Sequence, residues 1–153
     1  MGMKGKIEVE FEVNCHCDIL HEVFGSRPHH VSSMSPLKVH GCDVHEGEFG
    51  KPGSVICWDY THNGKRCVAK ELIETMDEEN KLVRFKVIEG DLLDEFKIIT
   101  IVLQVISNEE TNGVKWTVEF EKIHDDGHYP TKFMDLLIEV TKDIENHHIN
   151  AAA

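Results

Sequence analysis

From about Leu37 to Ile123 the apolar residues keep returning to a period of two, and a sustained helical period follows only after that stretch. Successive strands with no helix between them cannot be joined in parallel, because a parallel crossover consumes a dozen or more residues, usually as a helix. The pattern therefore predicts an antiparallel sheet and places the chain in the α+β class rather than among alternating βαβ folds. Strands are predicted over Ser54 to Tyr60, Arg66 to Glu74, Lys81 to Glu89 and Glu95 to Ile106. Val83, Phe85 and Val87 share one face, and Val114, Trp116, Val118 and Phe120 alternate with Lys115, Thr117, Glu119 and Glu121. Between the strands stand turn signals: Gly47 to Gly53, Asn63-Gly64, Asp77 to Asn80, Gly90-Asp91 and Asn112-Gly113.

The flanks complete the element order. Ile7, Val9, Phe11 and Val13 alternate with Glu8, Glu10 and Glu12, giving a first strand with one wet face. Asn14 is the expected cap of a short helix from Asp18 to Phe24, with Gly25 as its stop. Pro28 and Pro36 bracket a second short segment, His29 to Met34. At the other end Tyr129-Pro130 opens a long helix whose stripe is Phe133, Leu136, Leu137, Val140 and Ile144, widened by Met134 and Ile138. The predicted order is one strand, two short helices, about six antiparallel strands and one long helix.

The 153 residues suit one domain over 1–150, with Ala151 to Ala153 read as an appended tail. A formal charge of -12 repels phosphate backbones, so no nucleic-acid partner is expected. No run approaches the roughly 20 apolar residues of a membrane span, and Ile7 onward alternates with Glu where a signal peptide would turn apolar. Gly2 raises myristoylation, but Lys6 occupies the position where that motif wants Ser or Thr. Five cysteines without a disulfide spacing suggest reduced thiols. The expected setting is the cytoplasm and the expected state a monomer.

A strongly curved sheet of about seven strands has a concave face too broad for one helix to fill. Only 7 % of residues are aromatic, so a hollow of several hundred Å³ would be an ordinary ligand pocket. A fully packed core satisfies the same periodicity, and the pattern alone leaves both open.

Four segments carry a resemblance. They are Phe24-Gly25-Ser26-Arg27-Pro28-His29-His30, the glycine loop from His45 to Ser54, Val87-Ile88-Glu89-Gly90-Asp91-Leu92, and Thr141 to His148. In these segments, and in their order along the chain, the sequence resembles the plant major latex protein family, a branch of the birch-pollen-allergen (pathogenesis-related class ten) superfamily. The resemblance implies a helix-grip fold: a seven-stranded curved antiparallel sheet around a long C-terminal helix, with two short helices after the first strand. It also implies a cavity wall built from Phe11, Phe24, Trp58, Tyr60, Val68, Val83, Phe85, Val87, Trp116, Val118, Phe120, Phe133, Met134, Leu137 and Ile138.

Chemistry-bearing residues are few. Gly47, Gly50 and Gly53 recur every third residue without the Gly-Lys-Ser/Thr ending of a nucleotide loop, which favours a structural turn over an anion site. Cys15-His16-Cys17 with His21, His29-His30 and His147-His148 lack the spacing of a dedicated zinc site, so no metal is expected. His29 and His30 are acid–base candidates on a surface link. Glu89 is in phase with Val83, Phe85 and Val87, which would aim a carboxylate inward. Cys57 and Cys67 read as small apolar packing. Two functions fit, neither needing a cofactor. One is binding of a hydrophobic small molecule (specialised metabolite, sterol, lipid or hormone-like ligand) in a defence or metabolite-handling role. The alternative is a cofactor-independent cyclase or isomerase of terpenoid or alkaloid metabolism using the same cavity.

Overall fold

The computed structural model describes residues 3–107, 110–124 and 127–152; Gly2, Ala153 and the Cys17 side chain lie outside the described residues. Seven strands form one sheet: β1 (Lys4–Val13), β2 (Val39–Glu46), β3 (Val55–His62), β4 (Lys65–Asp77), β5 (Leu82–Gly90), β6 (Phe96–Ser107) and β7 (Asn112–Lys122). Their order is β1-β7-β6-β5-β4-β3-β2, so every strand from β2 to β7 lies beside its sequence neighbour and β1 closes on the last. All pairs are antiparallel. Helices α1 (Cys17–Ser26) and α2 (Val31–Met34) follow β1, joined by a 3₁₀ turn over Pro28–His30, and α3 (Thr131–Ala152) ends the chain. This is the predicted helix-grip order.

Register shifts between β4 and β5, and between β2 and β3, bend the sheet at the strands furthest from β1. The Asn63-Gly64 hairpin is as expected: both residues have positive φ, 53° and 74°, and His62 pairs directly with Lys65. Asn112-Gly113 is not a turn. Ser107 already pairs with Asn112, and Gly113 continues β7, where a Cβ would come within 3.2 Å of the Phe11 carbonyl oxygen of β1. The glycine there permits close backbone approach, and the connection lies earlier, partly outside the described residues.

The short helices depart from expectation in two details. The cap of α1 is His16, whose Nδ1 accepts from the Asp18 amide at 3.3 Å. Asn14 instead donates its backbone N–H to the Glu145 carboxylate of α3. Gly25 does not stop α1 but lies inside it, buried; a Cβ there would come within 3.0 Å of Met76 Sδ on β4. A glycine that punctuates in sequence serves here to let a helix lie low on a sheet.

Polar ties fix α3 at three places. Ser35 Oγ and Lys38 Nζ reach Asp143 at 2.6 and 2.7 Å, and Glu145 takes the Asn14 amide. In the buried middle, Trp116 Nε1 donates to Thr141 Oγ1 at 2.8 Å while that hydroxyl donates to the Leu137 carbonyl at 2.7 Å. Thr141→Val keeps the shape and strands the indole N–H in a dry environment. That should cost about 1–3 kcal/mol, read as a melting temperature lower by roughly 3–10 °C in thermal unfolding.

Candidate functional site

Helix α3 approaches β1, β7, α1 and α2 most closely, and a cavity lies beneath it on the concave side of the sheet. Its α3 wall is Phe133, Leu136, Leu137 and Val140, an i, i+3, i+4, i+7 face. Phe24 and Val31 close it from the short helices, and Val39, Trp58, Tyr60, Ala69, Glu71, Phe85, Ile101 and Trp116 form the sheet side. The cavity volume is about 70 Å³, in a recess that opens to solvent. That is well short of the several hundred Å³ expected from sequence. The reason is where the aromatics go. The chain has seven Phe, two Tyr and two Trp, and Phe24, Trp58, Tyr60, Phe85, Trp116 and Phe133 all point into this one space.

Two polar groups face this apolar lining. Glu71 is 5 % exposed, and Trp58 Nε1 donates to its Oε1 at 2.8 Å. Burial pushes the Glu71 carboxyl up to about 8, with the Trp58 hydrogen bond opposing only in part. At neutral pH the group is mostly a neutral acid, with a proton to donate from its second oxygen. Tyr60 is 4 % exposed, its Oη has no hydrogen-bond partner, and burial holds the phenol far above its ordinary range. In the β3–β4 register Trp58 faces Ala69 and Tyr60 faces Cys67, so the small Ala69 floor lies between the two polar points. Among the described residues no Lys, Arg or His lines the cavity.

A curved sheet gripping α3 over a partly open cavity can be compared with known proteins. The model of the pathogenesis-related protein Bet v 1 family matches residues 2–151. The chain belongs to the Bet v 1 family. Within that family it is 45 % identical to MLP-like protein 31 of Arabidopsis thaliana over 148 residues, covering 95 % of this chain and 86 % of that one. It is 30 % identical to major latex protein 149 of Papaver somniferum over 150 residues, 95 % and 92 % covered. The crystal structure of major latex-like protein 151 from Panax ginseng superposes with a TM-score of 0.94 at 46 % identity, covering 96 % and 99 %. Norcoclaurine synthase from Thalictrum flavum, solved with dopamine and hydroxybenzaldehyde, shares the fold at a TM-score of 0.73 and 16 % identity, covering 97 % and 88 %.

Of the residues assigned to the wall by resemblance to major latex proteins, Phe24, Trp58, Tyr60, Phe85, Trp116, Phe133 and Leu137 line the cavity of this Bet v 1 family chain. The others do not. Val68 is 47 % exposed, because Cys67, Ala69, Glu71 and Ile73 hold the inward parity of β4. Val83 is buried under α1, near Gly25, and Val87 pairs with Glu71 within the core. Val118 and Phe120 belong to the packed end of β7, where Phe120 meets Phe96 and Tyr129 edge-on, each at 5.7 Å. Phe11 sits half-buried on the edge strand β1. Met134 and Ile138 lie beside the α3 cavity face and pack into the core. The residues that the sequence reading missed are Val31, Val39, Ala69, Glu71, Ile101, Leu136 and Val140. Glu71 was legible in principle, since it alternates with Cys67, Ala69 and Ile73.

Glu89 points outward, against expectation. The register passes from Glu71–Val87 to Lys70–Glu89, so Ile88 is an extra residue and the inward phase ends there. The Glu89 carboxylate is exposed and 3.7 Å from Lys70 Nζ. His29 and His30 also lie off the cavity: His29 stacks on Phe49 with centroids 4.3 Å apart, and Arg27 meets His30 at 3.0 Å. Burial, then the neighbouring His30 and Arg27, lowers the His29 pKa. Gly47, Gly50 and Gly53 all take positive φ, 80° to 86°, and the loop bonds to itself, Ser54 Oγ accepting from the Glu48 amide at 2.9 Å. That is a structural turn with a committed amide. Among the described residues no group of three or more His, Cys, Asp and Glu could hold a metal, and no helix is long and apolar enough to cross a membrane.

Glu71 has a measurable signature. The unfolded chain releases this proton in the ordinary carboxylate range, whereas the folded chain holds it to about pH 8. The folded state thus binds more protons in that window, and its stability falls as pH rises through it. Relative to Glu71→Gln, the native protein should lose about 3–5 kcal/mol between pH 4.5 and pH 8, measured by denaturant unfolding at each pH.

Proposed function

We propose that this protein binds a compact hydrophobic small molecule in the cavity beneath α3, in a metabolite-handling or defence role. The observation that carries the reading is the convergence of six aromatic side chains on one partly open space with a buried carboxyl and an unpartnered phenol. A core built only for stability gains nothing from leaving Tyr60 Oη without a partner, because an unmet buried hydroxyl costs about 1–3 kcal/mol. A guest removes that cost. Apolar burial supplies most of the affinity at roughly 25 cal/mol per Å², and the two polar groups set orientation. Specialised metabolites, sterols, lipids and hormone-like ligands share this chemistry. The small cavity volume favours compact members, with larger ones extending into the recess.

The alternative, a cofactor-free cyclase or isomerase, has one observation in its favour. A carboxyl that stays protonated at neutral pH beside an apolar cavity is a general acid in position. A guest recovered unchanged supports binding; Glu71-dependent conversion supports catalysis.

Trp58 and Trp116 are the two tryptophans of the chain, and both line the cavity, so intrinsic fluorescence reports occupancy directly. Native mass spectrometry of protein from its natural tissue should show a co-purifying small molecule, and adding that molecule should shift the Trp emission. Ala69→Phe, which fills the floor, should weaken binding by about a hundredfold (about 2.7 kcal/mol) with the fold retained by circular dichroism. Undiminished binding in that variant would remove the cavity from the proposal.

A further inference from the structure

The two polar residues of the cavity restrict what its guest can carry. Glu71 Oε1 is occupied by the Trp58 indole, and its other oxygen has no hydrogen-bond partner among the described residues. Tyr60 Oη is likewise unpartnered and faces the same space. Both side chains are more than nine-tenths buried. Among the described residues no Lys, Arg or His stands in the lining.

Resting on the cavity reading above, we propose that the site selects apolar molecules bearing an uncharged oxygen, such as a ketone, aldehyde, ester or alcohol, through a hydrogen bond donated by Glu71, and rejects carboxylates. A guest carboxylate would be buried without a cation, in a chain of formal charge -12. A ketone or alcohol instead gives the Glu71 proton an acceptor in a dry site, where such a bond is strongest. The indole of Trp58 positions the carboxyl by holding its other oxygen, so the donor presents one fixed direction to the cavity.

The donor works only while protonated, so selectivity has a pH limit. Among the described residues the Cys42 thiol on β2, the Cys57 thiol on β3 and the Tyr60 phenol lie within electrostatic reach of Glu71, and burial raises all three above their ordinary values. From β5 the residue paired with Glu71 is Val87, and the α3 wall contributes only Phe133, Leu136, Leu137 and Val140. Glu71, pushed up to about 8, is therefore the group that titrates first as pH rises through neutrality. Below that pH the hydrogen bond is complete; above it the carboxylate repels an oxygen lone pair.

The test uses the full chain and three probes with one skeleton: cyclohexyl methyl ketone, ethylcyclohexane and cyclohexanecarboxylate. Binding is followed by Trp fluorescence at pH 6.5 and pH 9.5. At pH 6.5 the ketone should bind about tenfold more tightly than the hydrocarbon and about a hundredfold more tightly than the carboxylate. At pH 9.5 the ketone should lose its advantage over the hydrocarbon. In Glu71→Gln the ketone-to-hydrocarbon ratio should be the same at both pH values, while Tyr60→Phe should keep the pH step. Equal binding of all three probes, or a pH step that survives Glu71→Gln, overturns the inference and leaves the cavity reading standing. If none of the probes perturbs the fluorescence at any attainable concentration, the cavity reading fails and the inference fails with it.

Discussion

The hydrogen bond from Trp116 to Thr141 stands where sheet, helix and cavity meet. Trp116 is 1 % exposed and Thr141 fully buried, so neither group has water as a substitute partner. The indole pins the middle of α3 to β7, and the Thr141 hydroxyl passes the bond on to the Leu137 carbonyl one turn earlier. With that point fixed, and Asp143 and Glu145 tied to the α2–β2 link and to the end of β1, the C-terminal part of α3 is held on several sides. The cavity opens beneath the part N-terminal to the pin, along Phe133, Leu136, Leu137 and Val140. The same tryptophan that anchors the helix also forms the cavity wall, and it meets Phe24 edge-on at 5.0 Å. Stability and pocket shape thus share a residue.

A second constraint is the buried carboxyl. Ionised, Glu71 would carry a charge into an apolar space with no cation beside it, and a real protein avoids this by keeping the proton. One indole N–H offsets part of the desolvation and leaves the other oxygen unmet. An amide or hydrocarbon at this position would be easier to bury. The lining is therefore not the one that packing alone would select, and the same holds for the unpartnered Tyr60 hydroxyl four pairs further along the β3–β4 ladder.

Much of the architecture was legible because it depends on local periodicity. The alternation from Ile7 to Val13, the Asn63-Gly64 turn and the stripe from Phe133 to Ile144 all survive in the structure. What failed depends on neighbours that a single strand cannot announce. Asn112-Gly113 has turn chemistry, yet β1 and β6 recruit it into pairing on both sides. Glu89 keeps the phase of Val87 in sequence, but one extra residue at Ile88 moves it outward. Gly25 looks like a helix stop until Met76 arrives from β4 to occupy the space that a side chain would need. The wall assignments divide in the same way. The large aromatic residues of the lining were found, whereas the smaller or polar Ala69, Glu71 and Ile101 were not, and Val118, Phe120 and Met134 are equally apolar but are taken up by the packed core.

Cavity size was the least legible property, and the reason bears on how such a site works. A low overall aromatic content argued for empty space, but six of the rings are gathered into the space itself. Two of those rings are held by hydrogen bonds, Trp58 to Glu71 and Trp116 to Thr141, whereas Phe24, Phe85 and Phe133 are placed by packing alone. Glu71 is held differently, by its burial and by the Trp58 indole. On the proposed binding reading the lining divides into two kinds: phenylalanine rings placed by packing meet the skeleton of a guest, while the carboxyl, oriented by the Trp58 indole, meets its polar end.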